Sequence, residues 1–142
     1  MHLQLLTALL IVAGPAEDRA KKDEANIQGT WKVVYREFVG KKTPEAELKK
    51  WPNMVINGGK MTVDDGKKKE VIPYKLDPSQ SPKAIDLANT GPMGKETTRA
   101  IYELDGDTLK LCWCEKVNER PNTFTGGPCS TLTIMVLKRV KK

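Results

Sequence analysis

The amino-acid sequence predicts an all-β protein, an eight-stranded antiparallel up-and-down barrel with one short helix. Short segments in which apolar and polar side chains alternate recur along the chain, which is the pattern of strands with one buried face. Turn signals separate them, among them Gly58-Gly59, Asp65-Gly66 and Asp105-Gly106. A length of 142 residues with 11 Gly and 9 Pro suits one domain of many short elements. Closing such a sheet on itself removes its free edges.

The amino terminus has the pattern of an export signal. Residues 3–12 form an apolar run, and the small residues Gly14 and Ala16 stand where a signal peptidase reads the chain. Roughly ten apolar residues are too few to span a bilayer, which needs about 20. We therefore expect residues 1–16 to be a cleaved signal peptide, and the mature protein to be periplasmic or extracellular without a membrane span.

Residues 17–26 are polar and form a short lead-in helix or a loose arm before the domain at residues 27–140. In the first strand, residues 29–38, the apolar side chains of Trp31, Val33 and Tyr35 alternate with charged ones. We expect these three side chains to point into the barrel.

A helix is predicted over residues 44–50, with Thr43 as its N-cap and Pro44 at its first helical position. We expect this helix to close one end of the barrel. The remaining predicted strands share the alternating pattern and are residues 54–57, 60–64, 70–76, 84–88, 97–104, 108–114 and 132–139.

The interior of an eight-stranded barrel is either filled by side chains or holds one small ligand. The large inward residues proposed as ligand-binding are Tyr35, Met61, Tyr74, Tyr102 and Trp113. An open volume above about 300 Å³ beside the three tyrosines would favour a small apolar ligand. A filled interior would favour an interaction module that contacts an envelope protein through the rim loops at 89–95 and 117–127.

The histidine content excludes several kinds of enzyme. The chain has one histidine, His2, and it lies in the predicted signal peptide. Ser-His-Asp and Cys-His hydrolysis and histidine-ligated zinc each need an imidazole in the mature chain. No spacing in the sequence indicates another nucleophile and base. We therefore expect no catalytic activity and no cofactor.

Three cysteines lie in the last third of the chain. Cys112 and Cys114 are two apart on one predicted strand, too distant for a mutual disulfide, and Cys129 follows a long loop. In an oxidising compartment we predict a Cys114–Cys129 bridge, which would contribute roughly 3 kcal/mol. Three unpaired buried thiols and a three-thiolate metal site are alternatives. The metal site is disfavoured because the spacing is not that of a metal motif, so we predict no bound metal.

The net charge of +6 does not indicate nucleic-acid binding. The lysines occur in short runs over predicted turns and termini, whereas a nucleic-acid interface needs cations gathered on one face together with exposed aromatic rings. A small hydrophobic molecule or an envelope protein is the expected partner.

Several segments resemble the planctomycete-type lipocalin-like domain, a family of small exported or fused modules without an assigned activity. They are residues 27–34, 82–87 and 101–112, the pair Arg120-Pro121, and residues 136–139. The resemblance covers residues 26–139 and implies an eight-stranded lipocalin-like barrel, but no reaction.

Gly29-x-Trp31 also resembles the opening signature of lipocalins. That resemblance implies that Trp31 closes one end of the barrel beneath an arginine of the last strand, for which Arg139 is the matching position. A guanidinium over an indole contributes about 0.5–2 kcal/mol. We therefore assign Gly29, Trp31 and Arg139 a structural role.

Overall fold

Nine strands and two helices form in the part of the chain that the computed structural model describes, which is residues 15–91, 94–115, 119–125 and 131–141. The helices are α1 (Pro15–Ile27) and α2 (Glu45–Leu48). The strands are β1 (Gly29–Phe38), β2 (Lys41–Lys42), β3 (Met54–Asn57), β4 (Lys60–Asp64), β5 (Lys69–Asp77), β6 (Ala84–Gly91), β7 (Gly94–Asp105), β8 (Thr108–Cys114) and β9 (Leu132–Arg139).

Eight of these strands close into an antiparallel barrel, so the predicted architecture is confirmed. The strands β1 and β3 to β9 pair in sequence order, and β1 also pairs with β9 to complete the ring. The two-residue strand β2, which the sequence did not indicate, pairs with the last residues of β1. None of the helices in the described ranges has the length and apolar character needed to cross a membrane.

The described residues form two helices, whereas the predicted barrel had one short helix beside a lead-in segment that was either a helix or a loose arm. The lead-in segment is the 13-residue helix α1, and the predicted helix at 44–50 is the shorter α2. Pro44, expected at the first helical position, is instead the N-cap of α2, because its extended backbone lets its carbonyl accept hydrogen bonds from the amides of Glu47 and Leu48. Leu48 is buried in the core.

A β-bulge in β1 changes which side chains face the lumen. The pairing of β1 with β9 shifts between Val33 and Tyr35. After the shift Arg36 lies opposite Met135, whose side chain packs on the core. Directly opposed residues share a face, so Arg36 is on the inner face and Tyr35 on the outer face. The expectation that Tyr35 points inward is therefore wrong.

The barrel has two unlike ends. At the closed end, helix α1 packs beside the start of β1, the end of β9 and the β7–β8 turn. The opposite end, here called the mouth, lies where β1 ends, β3 begins and β4 turns into β5. The fully buried side chains on the inner faces of the strands fill the lumen: Trp31, Ile56, Met61, Ile85, Tyr102, Leu109, Leu111 and Leu137.

A second, smaller apolar cluster lies on the outer surface. Ile101, Cys112 and Leu132 are buried there, with Phe124 and Ile134 packed against them. Cys112 thus lies on the outer face, as the alternation predicts, yet it is 0% exposed because segment 119–125 covers it.

The arginine of the covering segment 119–125 holds that segment on the barrel. The Arg120 guanidinium donates to the carbonyl oxygens of Ala100 and Ile85 and pairs with Asp86 at 2.7 Å. Two segments of the family resemblance, 82–87 and Arg120-Pro121, therefore meet in space.

Candidate ligand cavity at the barrel mouth

Trp31 and Arg139 lie together at the closed end. The Trp31 side chain is completely buried, and its Nε1 donates to the carbonyl oxygen of Ile27 at 2.9 Å. The Arg139 guanidinium lies 4.4 Å from the centroid of the indole ring and donates to the carbonyl oxygens of Asn26 and Gln28. One arginine therefore covers the indole and binds the carboxyl end of α1, where free carbonyls need donors.

Gly29 lies directly beside the Arg139 guanidinium, which it can approach because it has no side chain. Its φ is +134°, a value that favours glycine, and a Cβ at this position would lie 2.8 Å from Nη1 of Arg139. A larger residue would have to displace the guanidinium.

The hydroxyls of Tyr74 and Tyr102 are bound to helix α1. Tyr102 donates to Oδ2 of Asp23 at 2.6 Å, and Lys83 donates to the same oxygen at 2.8 Å. Tyr74 donates to Oε1 of Glu24 at 2.6 Å. Burial, together with the hydrogen bond to a carboxylate, raises the pKa of both tyrosines well above 10. Both hydroxyls therefore hold the helix that closes the barrel.

The other three predicted ligand residues, Met61, Trp113 and Tyr35, lie apart from one another and do not line a common cavity. Met61 is 1% exposed within the filled core. Trp113 is half-buried near the mouth, with its Nε1 donating to Glu115 at 3.0 Å. Tyr35 lies on the outer face and donates to Glu37 at 3.0 Å. A hydrogen bond to that carboxylate raises the pKa of the Tyr35 hydroxyl.

An apolar cavity of about 350 Å³ opens at the mouth. Its apolar lining comes from β1, β3, β4, β9 and the segment after α2: Val33, Trp51, Pro52, Met54, Val63 and Met135. Asp65 and Lys68 of the β4–β5 turn and Glu70 at the start of β5 line one part of its rim. This volume exceeds the value of about 300 Å³ above which a small apolar ligand was expected. The cavity, however, lies at the opposite end of the barrel from Tyr74 and Tyr102.

The residues that line this cavity are not among the predicted ligand residues, although the alternation of the sequence indicates two of them. Met54 and Val63 occupy inward positions of predicted strands and face each other in the β3–β4 pairing. Their side chains are smaller than those of Tyr74 and Tyr102. The tyrosines fill the lumen at the closed end, whereas Met54 and Val63 leave space at the mouth. The Trp51-Pro52 pair directly follows the predicted helix at 44–50, and no alternation marks it as part of a cavity wall.

Arg36 lies beside the cavity without an acidic partner. Its Cζ is 5.7 Å from the ring centroids of both Phe38 and Trp51. Its Nη1 has one long contact of 3.5 Å with Oγ1 of Thr43. Across the described residues no carboxylate forms an ion pair with this guanidinium.

The cysteines differ in chemical state. Cys114 is disulfide-bonded, and its predicted partner Cys129 lies outside the described residues, so that pairing stays a prediction. Cys112 is a free thiol whose Sγ lies 3.8 Å from the carbonyl oxygen of Thr123, and burial raises its pKa to about 11. Within the ranges described, no three His, Cys, Asp or Glu side chains gather as a metal site.

The first predicted rim loop, residues 89–95, is largely strand, because its described residues 89–91 and 94–95 belong to β6 and β7 and continue their pairing. The second, residues 117–127, is described at 119–125, where it contacts the barrel wall. Comparisons with protein-family models, with curated proteins and with solved structures found no match for this chain.

Proposed function

We propose that this chain is an exported lipocalin-like domain that holds one small apolar molecule in the cavity at its mouth. The observation that carries the proposal is the cavity itself. Its volume of about 350 Å³ lies within the roughly 300–1,000 Å³ of small-molecule sites, and most of its lining is apolar. The disulfide at Cys114 suits the oxidising compartment that export implies.

The contrast between the filled closed end of the barrel and the cavity at its mouth also supports a binding role. The filled half and helix α1 form a packed floor, so a ligand has one way in, through the mouth. Met54 and Met135 in the cavity wall have flexible, polarisable side chains that adapt to ligands of different shape. At about 0.3–0.5 kcal/mol of binding free energy per non-hydrogen atom, a ligand of about 17 such atoms would bind with a dissociation constant between about 1 and 200 µM.

The test is a titration with N-phenyl-1-naphthylamine, a neutral apolar dye whose fluorescence rises when it leaves water. We expect a saturable increase with one dye bound per chain. Val63→Phe adds bulk to the cavity wall and should weaken binding at least tenfold. Val55→Phe is the matched control, because Val55 lies on the outer face of β3 and is 44% exposed. It should bind the dye like the wild type.

Far-UV circular dichroism establishes that both variants are folded before the titrations are compared. A wild-type protein that gives no saturable signal would refute the proposal and favour the interaction module with a filled interior. Equal affinities in the Val63→Phe and Val55→Phe variants would place the dye outside the cavity and would also refute the proposal.

A further inference from the structure

The β-bulge in β1 places a cation where the alternation of the sequence would place a tyrosine. Because the register shifts before Tyr35, the next residue, Arg36, is on the inner face opposite Met135. Met135 and Trp51 both line the cavity, and the Arg36 guanidinium lies 5.7 Å from the Trp51 ring. Arg36 therefore adjoins the cavity through two of its lining residues.

The donors of this guanidinium are largely uncommitted. A guanidinium has five N–H donors, and toward the described residues Arg36 uses them for one hydrogen bond of 3.5 Å, to Thr43. Arg120 and Arg139, by contrast, each bind an aspartate and backbone carbonyls. The two aromatic rings beside Arg36 orient its planar group without neutralising its charge.

The acidic groups that line the rim lie on the β4–β5 turn and at the start of β5. Asp65 accepts hydrogen bonds from the backbone amides of Lys67 and Lys68 at 2.9 and 2.7 Å, which holds its pKa below the usual value and keeps it ionised. Glu70 is exposed on the same part of the rim. These two carboxylates outnumber Lys68, the lysine that lines the same part of the rim, so this side repels an anion. Arg36 attracts one, so the cavity has a preferred orientation for a charged ligand.

We propose that the ligand is an amphiphile with one anionic head group, a carboxylate or a sulfonate, that pairs with Arg36. Its apolar part lies in the cavity against Val33, Met54 and Met135. This inference rests on the proposed function, because it assigns a ligand class to the same cavity. A planar guanidinium binds such anions through paired hydrogen bonds, which makes Arg36 the residue that determines specificity.

Two dyes of nearly the same shape test the inference. N-phenyl-1-naphthylamine is neutral, and 8-anilinonaphthalene-1-sulfonate adds one sulfonate to the same ring system. We expect the wild type to bind the sulfonate at least fivefold more tightly than the neutral dye. Arg36→Gln should remove this preference and leave the affinity for the neutral dye within twofold of the wild type. Lys60→Gln, which removes an exposed cation from the start of β4 at the closed end, should keep the preference.

A second measurement needs no variant, in case Arg36→Gln does not fold. Decanoate, 1-decanol and decylamine compete with the bound neutral dye on the wild-type protein. We expect decanoate to displace the dye at a concentration at least fivefold below that needed for the alcohol or the amine.

The outcomes separate the two proposals. Binding of the neutral dye without a preference for the sulfonate or for decanoate would overturn the inference and leave the proposed function standing. A preference that survives in folded Arg36→Gln would also overturn it. If neither dye binds, the proposed function fails, and the inference fails with it.

Discussion

Replacing Trp31 by alanine should remove a large part of the stability of the barrel. The indole is completely buried, and its N–H binds the carbonyl oxygen of Ile27. Truncating a buried tryptophan costs about 3–5 kcal/mol, and a carbonyl left without its donor costs about 1 kcal/mol more. We therefore expect Trp31→Ala to lower the free energy of unfolding by about 4–6 kcal/mol, against a typical total of about 5–15 kcal/mol.

The assay is urea unfolding followed by far-UV circular dichroism, because the substitution removes a fluorophore. A change of stability alone moves the midpoint and leaves the slope of the free energy against urea unchanged. Trp51→Ala is the matched control. It removes the same side chain from a half-buried position at the mouth and should cost about 1–2 kcal/mol.

A Trp31→Ala protein that unfolds at the wild-type urea concentration would refute this reasoning. A larger loss of unfolding free energy from Trp51→Ala than from Trp31→Ala would also refute it, because the tryptophan at the mouth would then stabilise the barrel more than the one at the closed end.

Three further results are expected. Gly29→Ala should lower the free energy of unfolding by about 1–3 kcal/mol in the same urea assay, because φ is +134° and the added Cβ meets Arg139; an unchanged midpoint would contradict the contact. The pKa of Tyr102 in the folded state is raised above its unfolded value of 10.0, so the folded protein retains this proton to a higher pH than the unfolded chain does. The wild type should therefore lose stability as the pH rises through 10. Tyr102→Phe should lose less between pH 9 and 11, and an equal loss in both proteins would contradict the assignment. Arg120→Met removes the bonds that hold segment 119–125, so iodoacetamide should alkylate Cys112 at least fivefold faster, whereas an unchanged rate would show that Arg120 does not hold the segment.

The barrel could be predicted from the sequence because each strand of the ring keeps one apolar face. Alternation and two-residue turns located all eight strands of the ring, within a few residues of their ends. Helix α1 was not recognised as part of the closure, because it docks mainly through polar groups. Asp23 and Glu24 bind two tyrosine hydroxyls, and Ile27 is the buried apolar residue near its end. A polar helix of this kind has no apolar stripe to reveal it.

The bulge and the cavity could not be predicted for a different reason. Neither Gly nor Pro marks the register shift after Val33, which depends on how β1 pairs with β9 across the whole chain. The alternation therefore placed Tyr35 in the lumen, whereas the structure places Arg36 there. The cavity depends on which inward side chains fill the lumen. That filling is decided by side-chain packing in three dimensions, which a linear pattern does not contain.

Native mass spectrometry of the protein purified from its own host tests the central claim most directly. If the mouth cavity holds a small apolar or amphiphilic molecule, the spectrum should show the folded chain with one added small mass that is lost under denaturing conditions, and Val63→Phe should reduce it. A spectrum of the bare chain alone would contradict the account.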